Sequence, residues 1–248
     1  MESAGPGTPR DTASCPECAG TGFVLQCGPD GDAARPCACR LGRRDELRRT
    51  AARIPERYRH CTFDDFAPHY ADGRRNPFLQ RALELSYRVV AEYGVTPDAH
   101  GLLLVGPCGV GKTHLAVSIL RALVESKGAV GLFAEFNDLL RRIQETYDRR
   151  SETPSWAVLQ PTLDADVLVL DDLGAARMTP WVLDTVSLIV NERYNSRRLT
   201  ILTSNRLLKP TTREESLQDR IGGRLFSRIA EMCWIAEIEG DDFRLRNR

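Results

Sequence analysis

Lysine is scarce in this chain. Of 34 basic residues only Lys112, Lys127 and Lys209 are lysines, a skew that genome base composition explains without a functional cause. Net charge is also missing: 34 acidic residues balance the basic ones. Overall charge therefore cannot drive binding to nucleic acid, and any basic surface has to be local. No repeat of 20–50 residues is visible. No apolar run approaches the length of a membrane span; VGLF and VLVL are short enough to be core strands. The first residues, MESAGPGTPRDTAS, lack a basic stretch followed by an apolar one. Their small, polar, Pro- and Gly-rich make-up predicts a disordered leader over 1–14 rather than a secretory signal. Together these absences predict a cytoplasmic protein with no membrane contact.

What is present begins with cysteine. In a cytosolic protein, clustered cysteines point to metal rather than to disulfides. Cys15 and Cys18 are separated by two residues, Cys37 and Cys39 by one. Two such pairs joined by a loop can set four thiolates around Zn²⁺, and Gly20 and Gly22 permit the tight turn of a knuckle. Cys27, between the pairs, is a spare or an alternative ligand; free or redox-active thiols are the competing reading. Cys61, Cys108 and Cys233 stand alone. Cys233 opens an apolar strand and reads as core.

From Arg40 to Arg59 eight arginines face Asp45, Glu46 and Glu56, a local charge of +5. Leu41, Leu47 and Ile54 are too sparse for an apolar face, and Pro55 predicts that a solvated connecting helix ends at Ile54. The expected organisation is a leader over 1–14, a cysteine module over 15–40, a basic linker helix over 41–60 and a core over 61–248.

In that core, helical and strand periods alternate. NPFLQRALELSYRVVAEYG carries Leu79, Leu83, Val90 and Tyr93 at helical spacing. GLLLV (101–105), GAVGLFAEF, DVLVL (166–170), RLTILTS and CWIAEIE read as five strands. Helices intervene: THLAVSILRALVES, NDLLRRIQETY with Asn137 as N-cap, a third capped by Thr179 with Pro180 following, and a fourth over LQDRIGGRLFSRIAEM weakened at Gly222–Gly223. Strands alternating with helices predict an α/β fold with a five-stranded parallel sheet.

Gly106, Gly111, Lys112 and Thr113 fit G-x-x-x-x-G-K-[ST] without a mismatch. The run Gly106, Pro107, Cys108, Gly109, Val110, Gly111, Lys112, Thr113 and His114 predicts a phosphate cradle. Its glycines let backbone N–H groups close on a phosphate, and the helix that follows presents its positive end. Lys112 is placed for the β/γ-phosphates of ATP and Thr113 for Mg²⁺. Cys108, inside the loop, could make ATP binding sensitive to oxidants. VLVLDDLG brings Asp171 and Asp172 to the carboxyl end of a buried strand, where ligands sit in such sheets. Asp171 is the candidate Mg²⁺ ligand and Asp172 the carboxylate for the attacking water. TILTSN ends on Asn205, whose amide could hold that water.

In their order, GLLLVGPCGVGKTHLA, VLVLDDLG, TILTSN, RLFSRIAEM and GDDFR resemble the AAA+ ATPases of the DnaC/IstB family, from about Ile54 to Arg248. The family includes replicative helicase loaders and transposition helpers. The resemblance implies an AAA+ core with little or no helical lid. It implies that Arg228 acts as an arginine finger on a neighbouring subunit's nucleotide, with Arg224 the fallback, and that Arg244 is a second sensor. The partners it implies are a replicative DNA helicase, single-stranded DNA and further copies of the chain through the nucleotide interface. Arg141, Arg142, Arg149 and Arg150 could meet phosphates of the strand, and Tyr147 could stack on a base. Asp172 stands where many AAA+ proteins carry glutamate, which predicts slow hydrolysis. Rival readings are a transposition helper on duplex DNA that recruits a transposase, a P-loop small-molecule kinase, and a nucleotide-gated binding module without turnover.

Overall fold

The computed structural model describes residues 15–28, 31–96, 99–147, 154–209 and 215–245. The expected leader lies outside them. The chain divides into two compact units, Met1–Ala51 and Ala52–Arg248.

In the first unit, β1 (Phe23–Gly28) pairs antiparallel with β2 (Gly31–Pro36), a hairpin the sequence reading did not contain. Helix α1 (Ala38–Ala51) follows. It begins inside the cysteine segment and stops three residues before Ile54. Leu41, Asp45 and Leu47 have side chains outside the described set.

The boundary between the units falls at 51/52, not at 60/61. Ala52, Ile54 and Cys61 are buried in the core of the second unit. The Phe133 N–H also donates to the Ala52 carbonyl at 2.7 Å. A segment that fills a core and binds a strand edge belongs to that core.

The second unit opens with α2 (Pro77–Glu92). β3 (Gly101–Val105) leads to α3 (Lys112–Ala122), and β4 (Gly131–Glu135) runs straight into α4 (Phe136–Glu145). Then come α5 (Ser155–Asp164), β5 (Val167–Asp171), α6 (Pro180–Asn195) and β6 (Leu199–Ser204). Two short helices, α7 (Leu217–Ile221) and α8 (Gly223–Met232), precede β7 (Cys233–Glu237). The α7–α8 break sits at Gly222, φ 86°, the weak point expected there. Glu135, not Asn137, caps α4: its carboxylate accepts from the N–H groups of Asn137 and Asp138. An acid two residues earlier reaches both free amides and leaves Asn137 inside the helix.

The five core strands are all parallel, in the order β4-β5-β6-β3-β7. Their apolar runs are buried on both faces, and successive side chains serve opposite layers. Leu102, Leu104, Val167 and Val169 pack with α2 and α3. Leu103, Val105, Leu168 and Leu170 pack with α4, α6 and α8. β3 lies beside β6, while its successor β4 forms the far edge. Connections from β3 and β6 therefore leave over opposite faces, and a crevice opens at the carboxyl ends of these two strands. After β7, the described residues hold only a 3-10 turn, Phe243–Leu245, and no helical lid.

Candidate nucleotide-binding site

The crevice is a cavity of about 670 Å³, a size that suits a nucleotide. The loop from Gly106 forms its floor. Gly111 has φ 100° as N-cap of α3, a left-handed geometry that favours glycine. Val110 is fully buried and anchors the loop to the core. The Lys112 side chain, 6% exposed, folds back along the loop. Its ammonium donates to the carbonyls of Gly106 at 2.8 Å and Pro107 at 2.6 Å. Burial lowers its pKa, against the Cys108 thiol and the carboxylates of Asp172 and Asp171, which raise it. A desolvated cation beside a ring of amides is a strong site for phosphate oxygens.

Asp171 ends β5 and is 5% exposed. One of its oxygens accepts two hydroxyls, from Thr113 at 2.9 Å and Thr203 at 2.6 Å. Burial raises its pKa, those two hydroxyls lower it, and Asp172 raises it again. The Thr113 hydroxyl and the Asp171 carboxylate form a hard-oxygen pair at the cavity, which fits Mg²⁺, an ion that binds through few protein ligands and keeps its waters. Thr203 also accepts the N–H of Asp172 at 2.8 Å. That single hydroxyl welds β6 to the turn after β5 and fixes both acids. Asp172 sits at φ 64°, a left-handed geometry that aspartate tolerates better than most side chains. Its carboxylate accepts from the Asn205 amide. Burial lifts its pKa, opposed chiefly by Lys112.

The segment ahead of α2 supplies another wall, with Arg57, Tyr58, His60 and Phe66. His114 closes it: its Nε2 is 2.7 Å from the Thr62 carbonyl, and its ring lies 5.5 Å from that of Phe66. Burial lowers its pKa and favours the neutral ring. Cys108 and Arg244 also line the cavity.

Besides that wall, Glu135 and Thr203 line the cavity and were missed from sequence. Glu135 faces Asp171 across the β4–β5 register and adds a further acid to the cavity. Its position at a strand's carboxyl end is the signal that picked out Asp171. Thr203 carried no signal, because its role needs β6 to lie beside β5.

The arginine finger candidates stand elsewhere. Arg228 donates to the Asn191 carboxamide oxygen, from α8 to α6. With Arg224 it lines a separate groove beside Leu183, Asp184 and Ser187. The structure does not bring either arginine to the chain's own phosphate loop. On α4, Arg141 is paired with Asp138 at 2.5 Å and with Glu145. Those carboxylates compete with any phosphate. Tyr147 is exposed, and its hydroxyl accepts from Trp181 Nε1 at 3.1 Å. Arg149 and Arg150 lie outside the described residues.

In the first unit Cys15, Cys18, Cys37 and Cys39 bring their sulfurs within 4.8 Å of one another. The Cys15–Cys37 and Cys18–Cys39 separations are 3.8 and 3.5 Å. Tetrahedral zinc with bonds of about 2.3 Å spaces sulfurs by about 3.8 Å. The Gly22 N–H donates to the Cys18 sulfur at 3.3 Å. Burial and the three neighbouring thiols push Cys39 up to about 12, whereas at Cys18 burial is outweighed by hydrogen bonds from Gly22, Cys39 and Gly20, which lower it to about 7. The sulfur set therefore fits Zn²⁺. The side chain of Cys27 is outside the described residues.

Residues 37–248 match the family described as IstB-like ATP binding protein. The replicative helicase loader DnaC of Buchnera aphidicola is 26% identical over 191 residues, 77% of this chain and 72% of its own. The putative ATP-binding protein of insertion sequence IS5376, from Geobacillus stearothermophilus, is 26% identical over 199 residues, 79% of this chain and 72% of its own. A solved DnaC helicase loader superposes with a TM-score of 0.62 at 34% identity, covering 75% of this chain and all of that one. No helix of the described residues is long and apolar enough to cross a membrane.

Proposed function

The chain belongs to the IstB-like ATP binding protein family, and from that premise we propose that it is an ATPase that loads a replicative helicase onto single-stranded DNA. One observation carries the reading: Thr113, Asp171 and Thr203 are joined through one carboxylate oxygen beside Lys112. That junction lets the state of a γ-phosphate be felt at once at the start of α3 and at the carboxyl ends of β5 and β6. Likeness to a DnaC helicase loader over that chain's whole length supports the choice of client.

ATP binds with its phosphates on the loop amides, and Lys112 exchanges two carbonyl acceptors for phosphate oxygens. Thr113 and Asp171 hold Mg²⁺, which supplies positive charge to the phosphates. Asp172, steadied by Asn205, accepts a proton from water as that water's oxygen bonds to the γ-phosphorus and the bond to ADP breaks. The short Asp172 side chain makes turnover slow until DNA or a partner tightens the site. Arg244 serves the chain's own nucleotide. Arg228 serves that of an adjoining copy, with Arg224 as fallback, so ATP favours self-association. Cys15, Cys18, Cys37 and Cys39 hold a structural Zn²⁺.

One observation favours a second reading, the 26% identity to the insertion-sequence protein. In it the same switch recruits a transposase to duplex DNA. Capture of partners from cell extract by the full chain separates the two. A replicative helicase is expected with ATP, and not with Lys112→Ala. A transposase captured in its place contradicts the loader.

A further inference from the structure

The segment after β7 lies as a strap across the phosphate loop. The Phe243 N–H donates to the Gly109 carbonyl at 3.0 Å. The Ala71 N–H donates to the Asp241 carboxylate at 2.9 Å. The strap sits so close that a Cβ on Gly109 would fall 1.8 Å from Asp242 Oδ1. Arg244, at its end, lines the cavity.

The third latch is Asn76, whose side chain is buried at 0% exposure. Its Oδ1 caps α2 by accepting from the N–H groups of Phe78 at 3.0 Å and Leu79 at 3.2 Å. Its Nδ2 donates to the Glu239 carbonyl at 2.7 Å. A cap needs only the oxygen, and serine or aspartate would serve as well. The buried amide donor is extra, and it is spent on the strap. The carboxamide thereby ties the start of α2, on the sheet face that carries α3, to the segment bearing Arg244.

We propose that Asn76 is a positioning residue of the nucleotide site: it pins Glu239–Leu245 onto the phosphate loop and so sets Arg244 in the cavity. This rests on the reading of the cavity as an ATP site.

Asn76→Ser keeps a capping oxygen and deletes the amide donor. ATP titration compares the full-length parent, Asn76→Ser, Arg244→Ala and the double variant. Each single variant is expected to bind about tenfold more weakly, the scale of one hydrogen bond to a charged group. The double variant is expected to be little worse than Arg244→Ala, because both changes remove one interaction. Additive losses, or parent-like affinity of Asn76→Ser, would overturn the proposal. Hydrogen exchange at the Phe243 amide without nucleotide gives a readout independent of ATP. It should speed up about tenfold or more in Asn76→Ser; unchanged exchange overturns the strap. A parent that fails to bind ATP instead sinks the nucleotide reading, and the exchange result still decides the strap.

Discussion

The two units are organised by different physics. The larger one packs two apolar layers against a central sheet, with Leu102 and Leu104 facing one and Leu103 and Val105 the other. In the smaller one, the buried cluster among the described residues consists of Cys15, Cys18 and Cys37, with Val24 and Cys39 against it. The larger unit is stabilised by area removed from water. A chain as short as the smaller one buries too little to stand on that alone, and the ion proposed for its four cysteines would supply the difference. The contrast teaches where each unit is vulnerable: one to a change in its core, the other to loss of a single ligand.

Removing the metal is the largest way to break the comparison. Structural zinc contributes about 10–16 kcal/mol in small zinc modules. We expect about one Zn²⁺ per chain, lost in Cys15→Ser with Cys18→Ser. The Phe23–Pro36 hairpin should then lose its exchange protection, while the melting and ATP affinity of the larger unit stay unchanged. Metal analysis and hydrogen exchange check this. Zinc retained by the double variant, or a core that melts with the module, would erase the distinction.

A smaller effect is expected inside the larger unit. Thr203→Val keeps the shape and removes both hydrogen bonds of the hydroxyl, leaving the Asp172 N–H unpaired. The cost in stability is about 1–3 kcal/mol, and ATP turnover should fall further than binding. The Thr203 hydroxyl lowers the pKa of Asp171. Its loss raises that pKa, so the acid limb of the rate profile moves to higher pH. A profile that stays in place would mean that Asp171 does not titrate in turnover.

The smallest effect concerns α4. Arg141 lies in exposed ion pairs with Asp138 and Glu145. Arg141→Ala should leave stability nearly unchanged, because solvent screens exposed ion pairs. Affinity for single-stranded DNA should fall less than in Tyr147→Ala, because the tyrosine is exposed and its face can stack on a base. A reversed order in a salt-matched DNA titration would make Arg141 the contact.

The phosphate loop and the sheet were legible because their signals are local. GLLLV is a strand wherever it is buried, and the run from Gly106 to Thr113 carries its chemistry in its spacing. Thr203 and Glu135 were illegible because their roles come from strand order: each matters only through its neighbour Asp171. The helix α5 was hidden by Pro161, which reads as a breaker yet sits near the end of a helix with little periodicity. The β1–β2 hairpin was hidden by its length, since six residues per strand give few alternations. Asn137 attracted the cap assignment as the preferred residue type, yet Glu135 takes the cap because β4 runs into α4 without a loop.

The phosphate loop and Arg228 line different clefts of one chain, and the central claim is that a second copy brings them together. The direct test is to mix two inactive proteins in the presence of DNA or partner. Lys112→Ala lacks the phosphate grip and keeps Arg228. Arg228→Ala should bind ATP like the parent and lose most turnover; arginines acting in trans are worth about 10³–10⁵ in GTPases, and a slow site should show less. The mixture should regain ATP hydrolysis that neither protein has alone. A mixture that stays inactive where the parent assembles and hydrolyses ATP, or normal turnover by Arg228→Ala alone, would contradict the claim.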